Sequence, residues 1–212
     1  MPGDEPFSNP KADVLTRWAG WCGMLGGPAL AIAYIAHPPS APPEIVASTF
    51  WIWVHVGFMA SLLGGVFLLV ALVGRYARSG GQYIGFAGFI LAVISLIFVF
   101  GLDYAEVFIF PTLAVSHPEV VTQYGDGTSM PSVAFAFPAT GIIFLVGFSL
   151  FSRALLKAGV IGRGAATLTI VGALVFTMGL SGFFPMVVVK TGATLFGGGL
   201  VWLGLSLWRP AH

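Results

Sequence analysis

The chain has 212 residues, of which 57% are hydrophobic and only 8% are charged, and its formal net charge is +1. Soluble domains carry about 25% charged residues, so this chain cannot cover a water-facing surface with polar groups. The near-neutral charge provides no basic surface for phosphates, which argues against nucleic acid as a partner. The single cysteine, Cys22, excludes an intrachain disulfide and a cysteine-based metal site. We therefore predict a membrane protein.

Long apolar runs divide the chain into six predicted transmembrane helices. A helix rises about 1.5 Å per residue, so roughly twenty residues cross a hydrocarbon core of about 30 Å. Residues 1–16 begin acidic, lack the pattern of a cleaved signal peptide and are predicted as a cytoplasmic tail. A single domain then covers residues 17–209, with an outer loop at 111–132. The predicted spans are about 18–36, 49–74, 82–110, 133–156, 165–187 and 192–208.

Basic residues predict the orientation of these helices. With the N-terminus in the cytoplasm, every Lys and Arg except Lys190 lies on the inner side, which is the positive-inside pattern. The predicted fold is therefore all-α and polytopic, with six transmembrane helices and both termini cytoplasmic. The basic residues placed inside are Lys11, Arg17, Arg75, Arg78, Arg153, Lys157, Arg163 and Arg209.

The third predicted span ends with two carboxyl groups. Its sequence, QYIGFAGFILAVISLIFVFG, is uncharged for about twenty residues before Asp103 and Glu106 follow. Ionisable residues within a span are costly and are functional candidates. These two are three residues apart and therefore share a helix face. His55, in the second span, lies at a comparable depth of about 9 to 11 Å. We expect the three side chains to meet in the outer half of the membrane.

Such a group supports several kinds of chemistry. A desolvated carboxyl can serve as a general acid, and the group could instead relay protons in a transporter. It could also ligate a divalent metal, with His37, His117 or Glu119 completing the shell. Haem held by two histidines is disfavoured, because only His55 lies within a span.

Structural roles remain open for the same residues. Glu106 could simply reach the headgroups beside Tyr104, and Lys190 could neutralise either carboxyl. His55 could be a hydrogen-bonded interhelical histidine. His37 and His117 each precede a proline, which indicates solvent-exposed loops.

An outward-facing apolar pocket with carboxyls at its base would suit a lipophilic ligand, covered by the loop at 111–132. Its candidate lining residues are His55, Trp51, Trp53 and Tyr104, although the last three would also suit an interfacial aromatic belt. No cofactor is indicated by the residues. The 29 glycines predict close helix packing within the chain, or a docking face for another subunit along the sixth helix.

Motifs of soluble enzymes and of channels are missing. The sequence has no phosphate-binding glycine loop, no GxSxG, no HExxH and no selectivity filter. The segments GRYARSGGQYIGFAGFILA and DYAEVFIFPTLAVSHPEVV, with Glu106, Pro111, Leu113 and Ala114, resemble a broad group of uncharacterised bacterial six-helix membrane proteins. KAGVIGRGAATLTIVGALV resembles the start of their fifth helix. The resemblance implies a multi-pass protein of the bacterial cytoplasmic (inner) membrane and supplies no activity.

The favoured function is an accessory subunit or a binding protein for a quinone, isoprenoid or pigment. Its expected partners are membrane lipid, the lipophilic ligand and other membrane subunits or further copies of the chain. The first alternative is a small intramembrane enzyme, an isomerase or cyclase that uses Asp103, Glu106 and His55. The second alternative is a proton-coupled transporter.

Overall fold

The computed structural model of the chain describes residues 10–38, 41–126, 130–181 and 183–208, with side chains for all of these except 10–13, 125, 126 and 133. The predicted tail before residue 10 and Arg209 lie outside the described residues. Within these ranges the chain forms nine α-helices and no strand. They are α1 (Pro10–Ala36), α2 (Pro43–Val46), α3 (Thr49–Arg78), α4 (Tyr83–Phe108), α5 (Phe110–Ser116), α6 (Pro118–Asp126), α7 (Pro131–Lys157), α8 (Arg163–Leu180) and α9 (Met186–Ser206).

Six of these helices are long and apolar enough to cross a membrane. They comprise all of α3, α4, α8 and α9, together with Val14–Ala36 of α1 and Ala134–Lys157 of α7. This confirms the predicted all-α polytopic fold with six spans. The cytoplasmic position of both termini stays a prediction. We call the end of the bundle where α3 begins and α4 ends the acidic end, and the opposite end, where Arg75 and Lys157 lie, the basic end.

The six spans form a closed ring. Going round it, α1 packs on α3, α3 on α4, α4 on α7, α7 on α8, α8 on α9, and α9 returns to α1. Phenylalanine rings fill the middle of the ring. Phe196 lies with its ring centroid 4.8 Å from those of both Phe144 and Phe148, and Phe144 is 5.6 Å from Phe176. The core is therefore an aromatic column to which several spans contribute.

Glycines allow the spans to approach closely. Gly27 of α1 and Gly197 of α9 face each other, so that a Cβ on either would collide with the other's carbonyl. Between α4 and α7, Gly88 lies against the backbone of Phe151, and Gly147 lies against that of Ala92. Packing of this kind drives helix association in lipid, where apolar burial gives little advantage. The glycines of α9 are therefore used inside the chain, as the first of the two predicted roles requires.

The connection between the last two spans differs from the prediction. The predicted boundaries 165–187 and 192–208 are wrong here, because α8 ends at Leu180 and α9 begins at Met186. Pro185 precedes α9 in an extended conformation, with φ −60° and ψ 154°. A proline disfavours helix in the residue before it, and this outweighs the continuous apolar run. Lys190 therefore lies within α9 rather than in a turn.

The predicted outer loop at 111–132 is largely helical. Pro111 has no backbone N–H to continue α4, and the chain breaks at Ile109 before α5 begins. Helices α2, α5 and α6, which we call the cover, pack together at the acidic end. Val46, Ala114 and Val121 form a small separate core with Trp51 of α3. The cover is thus attached to the bundle by apolar contacts.

Candidate acidic site

Asp103 and Glu106 lie on the buried face of α4, and each is only 8% exposed. The three-residue spacing puts both carboxyl groups on the same side of the helix, as expected. They lie close enough to interact electrostatically. Their surroundings nevertheless differ, since Asp103 faces the centre of the ring and Glu106 faces the cover.

Asp103 borders a cavity on the axis of the bundle, to which all six spans contribute. The space open to the centre of a water molecule is about 20 Å³, which is room for one or two waters. Among the described residues, no cation lies within 4.0 Å of Asp103, because the one ion pair there joins His117 and Glu119. Asp103 is therefore a buried carboxyl without a counter-charge in an apolar wall. One residue from each span that lines the cavity is Tyr34, Phe58, Asp103, Phe144, Phe176 and Phe196.

Glu106 interacts with the cover. Its carboxyl accepts a hydrogen bond from the hydroxyl of Tyr124 on α6 and lies near the indole of Trp51. The Trp51 Nε1 is buried and does not reach good hydrogen-bond geometry with any partner in the described part of the chain, so we regard its interaction with Glu106 as a loose contact. Burial, followed by the nearby Glu106 carboxyl, raises the pKa of Tyr124, which therefore stays a hydrogen-bond donor.

Two histidine rings lie beside Trp51. The Nδ1 of His55 is 2.9 Å from the carbonyl oxygen of Trp51, and the Nδ1 of His37 is 2.8 Å from that of Pro38. A carbonyl only accepts, so each Nδ1 carries the proton and each neutral ring keeps its Nε2 as an acceptor. The two ring centroids are 5.4 Å apart. Burial lowers the pKa of His37, the Pro38 carbonyl partly offsets this, and Lys190 lowers it further.

The predicted meeting of Asp103, Glu106 and His55 is realised in part. The two carboxyls are together, but neither forms an ion pair with His55 among the described residues. Trp51 connects the two halves, because its ring centroid is 4.3 Å from that of His55 and its indole lies near Glu106. His55 is a buried histidine whose hydrogen bond is to a carbonyl of its own helix, and not the interhelical bond predicted as its structural role.

The other predicted lining residues separate into two groups. Trp51 is buried, whereas Trp53 is 68% exposed and Tyr104 is 50% exposed. Trp53 is two positions from Trp51 and Tyr104 is next to Asp103, so the helical rotation turns both away from the buried face. None of the four predicted lining residues borders the cavity beside Asp103, since Trp51 and His55 are buried elsewhere. Trp53 and Tyr104 have the exposure expected of an aromatic belt.

Sequence reasoning missed three residues of the site. Tyr34 was not among the predicted site residues, yet it lines the cavity, and its spacing from Leu30 would have placed both on one helix face. Tyr124 was missed because its segment was taken for a loop. His37 was expected in solvent, but it is half-buried with its ring centroid 5.1 Å from that of Trp51.

Two further expectations can be compared with the geometry. In the part of the chain that the structure describes, no three His, Cys, Asp or Glu residues are arranged to hold a metal ion. His117 and Glu119 pair with each other at 3.3 Å on the exposed surface. Lys190 does not neutralise a carboxyl, because its Nζ donates to the carbonyl oxygen of Ile35 at 2.9 Å.

The axis towards the basic end is apolar. Leu68, Leu69 and Leu72 of α3 are completely buried there. The buried hydroxyls of Ser95 and Thr169 donate to carbonyl oxygens of their own helices. This half of the bundle therefore provides packing rather than a chain of polar groups.

The fold and composition define an all-α, multi-pass membrane protein with a buried acidic site at one end. Compared with models of known families, with curated proteins and with solved structures, the chain has no significant match.

Proposed function

We propose that this chain is a non-catalytic membrane protein that binds a lipophilic molecule through one small polar group held by Asp103. The observation that carries the proposal is the position of this carboxyl, which is buried, without a counter-charge among the described residues, and at the edge of an apolar cavity. Ionisable residues at such depth mark ligand or ion sites in membrane proteins. We further propose the bacterial inner membrane as its location, on the basis of the resemblance of its sequence segments to bacterial six-helix membrane proteins. The distribution of basic residues supports the proposed orientation.

The size of the cavity restricts the ligand. Sites for drug-sized ligands measure roughly 300–1,000 Å³, whereas about 20 Å³ is open here to the centre of a water molecule. A pigment or a quinone ring would need several phenylalanine side chains to move. The slender end of an isoprenoid or alkyl molecule requires the smallest change. Among the predicted ligands, we therefore favour a chain-like one.

The cover supports a binding role because it closes the acidic end over the site. Trp51 belongs to the apolar core of the cover and also contacts His55 near the cavity. Tyr124 holds α6 to Glu106. A ligand would reach Asp103 either past the cover or between the spans, and movement of the cover would change access.

The test is to purify the protein in a mild detergent and identify bound lipophilic molecules by mass spectrometry. Asp103→Asn removes the charge and keeps the shape, and Glu119→Gln is the matched control because Glu119 is exposed. We expect one class of molecule to accompany the wild type and the control, and to be lost from Asp103→Asn. Equal retention in Asp103→Asn, or no specific molecule in the wild type, would contradict the proposal.

A second candidate is an intramembrane acid–base enzyme. It is favoured by the hydrogen bond between Glu106 and Tyr124, because a carboxyl and a phenol so close to Asp103 form a set of proton donors and acceptors. An isomerase would exchange substrate C–H hydrogens with solvent. The protein is incubated with a bacterial lipid extract in D₂O. A binding protein should leave the lipids without deuterium. Deuterium incorporation by the wild type that is lost in Glu106→Gln would favour the enzyme.

The proposed partners include other membrane subunits or a second copy of the chain.

A transporter is less favoured than either function above, because the half of the axis towards the basic end is filled by apolar side chains.

A further inference from the structure

No cationic side chain among the described residues forms an ion pair with Asp103 or Glu106. Lys190 is bound to the Ile35 carbonyl, and His37 and His55 donate to backbone carbonyls. Ionisable side chains within a membrane are normally paired with one another or with backbone groups. Removing a carboxylate from water without a partner is strongly unfavourable. A bound cation beside these carboxyls would supply the partner that the described residues do not, and it would favour the ionised carboxylate.

The cavity walls are suited to a cation. The ring centroid of Tyr34 lies 4.4 Å from that of Phe58 and 5.0 Å from that of Phe176. Phe144 is 5.6 Å from Phe176 and continues the wall. Aromatic faces attract cations through their quadrupole, most strongly when water is excluded. Clusters of aromatic rings are a known way to recognise alkylated ammonium groups.

We propose that the molecule held at Asp103 is an alkylammonium, a small protonated amine on a single apolar chain. This inference rests on the proposed binding function and specifies its ligand class. The amine supplies the counter-charge for Asp103, and the aromatic wall contacts its methylene groups. The small cavity selects a compact head group, while the apolar chain lies among the spans or in the surrounding lipid.

The experiment compares dodecylamine with dodecanol, which has the same chain and a neutral head. Purified protein is placed in nanodiscs of phosphatidylcholine, whose zwitterionic surface limits non-specific attraction of cations. Binding is measured from the ligand-dependent rise in the thermal unfolding temperature. We expect dodecylamine to bind about tenfold more tightly than dodecanol to the wild type and to Glu119→Gln. In Asp103→Asn the two affinities should become equal.

Phe176→Leu provides a second variant if Asp103→Asn fails to fold. It removes one aromatic face and keeps an apolar side chain. It should therefore weaken the binding of dodecylamine and leave the binding of dodecanol nearly unchanged. Equal binding of both probes to the wild type would overturn the cation inference and leave the proposed function intact. Binding of neither probe would overturn the cation inference. The proposed function would then fail as well if the wild type also retained no lipophilic molecule during purification.

Discussion

Tyr124 donates its hydroxyl to the carboxyl of Glu106, and this hydrogen bond joins the cover to the membrane-spanning bundle. The pair connects two very different parts of the chain, a short helix outside the spans and the buried face of α4. The raised pKa of Tyr124 means that the phenol keeps its proton well above neutral pH. The phenol therefore remains the donor of this contact throughout the physiological pH range.

Replacing Tyr124 with Phe should loosen the cover without unfolding the spans. The substitution leaves the Glu106 carboxyl buried with a lost donor, which costs about 1–3 kcal/mol. Hydrogen exchange measured by mass spectrometry should become faster in α5 and α6 and stay unchanged in α9. Tyr104→Phe is the matched control, because Tyr104 is exposed. Unchanged exchange in the cover would show that its apolar core alone holds it.

Adding one methyl group between α1 and α9 should destabilise the ring. In Gly197→Ala the new Cβ would overlap the Gly27 carbonyl, and overpacking of this kind costs about 1–3 kcal/mol. Gly101→Ala is the control, since a Cβ there meets nothing within 4 Å. The control should be as stable as the wild type or more stable, because Ala favours a helix more than Gly does. Thermal unfolding in detergent measures the midpoint of each variant. Equal unfolding midpoints for Gly197→Ala and Gly101→Ala would refute the close contact.

The contribution of His37 to stability should fall as the pH is lowered below about 6.5. The pKa of His37 is lowered from 6.5 in the folded protein, so the unfolded chain takes up the proton first. The folded state loses stability progressively from pH 6.5 down to the folded pKa. On going from pH 7.5 to pH 5.5, the unfolding temperature of His37→Gln should rise relative to that of the wild type, because the variant lacks the destabilising protonation of His37. His117→Gln, at an exposed site, should behave like the wild type.

Both termini should lie on the cytoplasmic side. Green fluorescent protein joined after the last residue should fluoresce, and alkaline phosphatase joined there should be inactive. Alkaline phosphatase inserted between α6 and α7 should be active, because the cover is predicted to lie outside. The opposite result at both positions would reverse the orientation inferred from the basic residues.

The number of spans and the shared face of Asp103 and Glu106 could be predicted because both follow from helix geometry along one segment. The length of an apolar run counts the crossings, and a three-residue spacing fixes relative direction. The position of His37 could not be predicted in this way. Its burial depends on contacts with Trp51 and Phe58, which lie on another helix. The sequence around His37, with its prolines, carries only a local preference for a loop.

The boundary between α8 and α9 was missed for a different reason. The apolar run continues through Pro185, so a prediction from the length of that run placed the turn too late. The backbone preference of proline was the better local signal. The closure of the ring between α1 and α9 could not be read from either segment alone, because it depends on Gly27 and Gly197 meeting across most of the chain length.

The first and last spans are neighbours, and Arg17 lies 5.8 Å from the ring centroid of Trp208. A short flexible linker could therefore connect the start of α1 to the end of α9, and new ends could be opened in the connection between α7 and α8. Such a circularly permuted chain should build the same bundle, because every helix keeps its neighbours. The bundle would then form independently of the order in which its spans are synthesised.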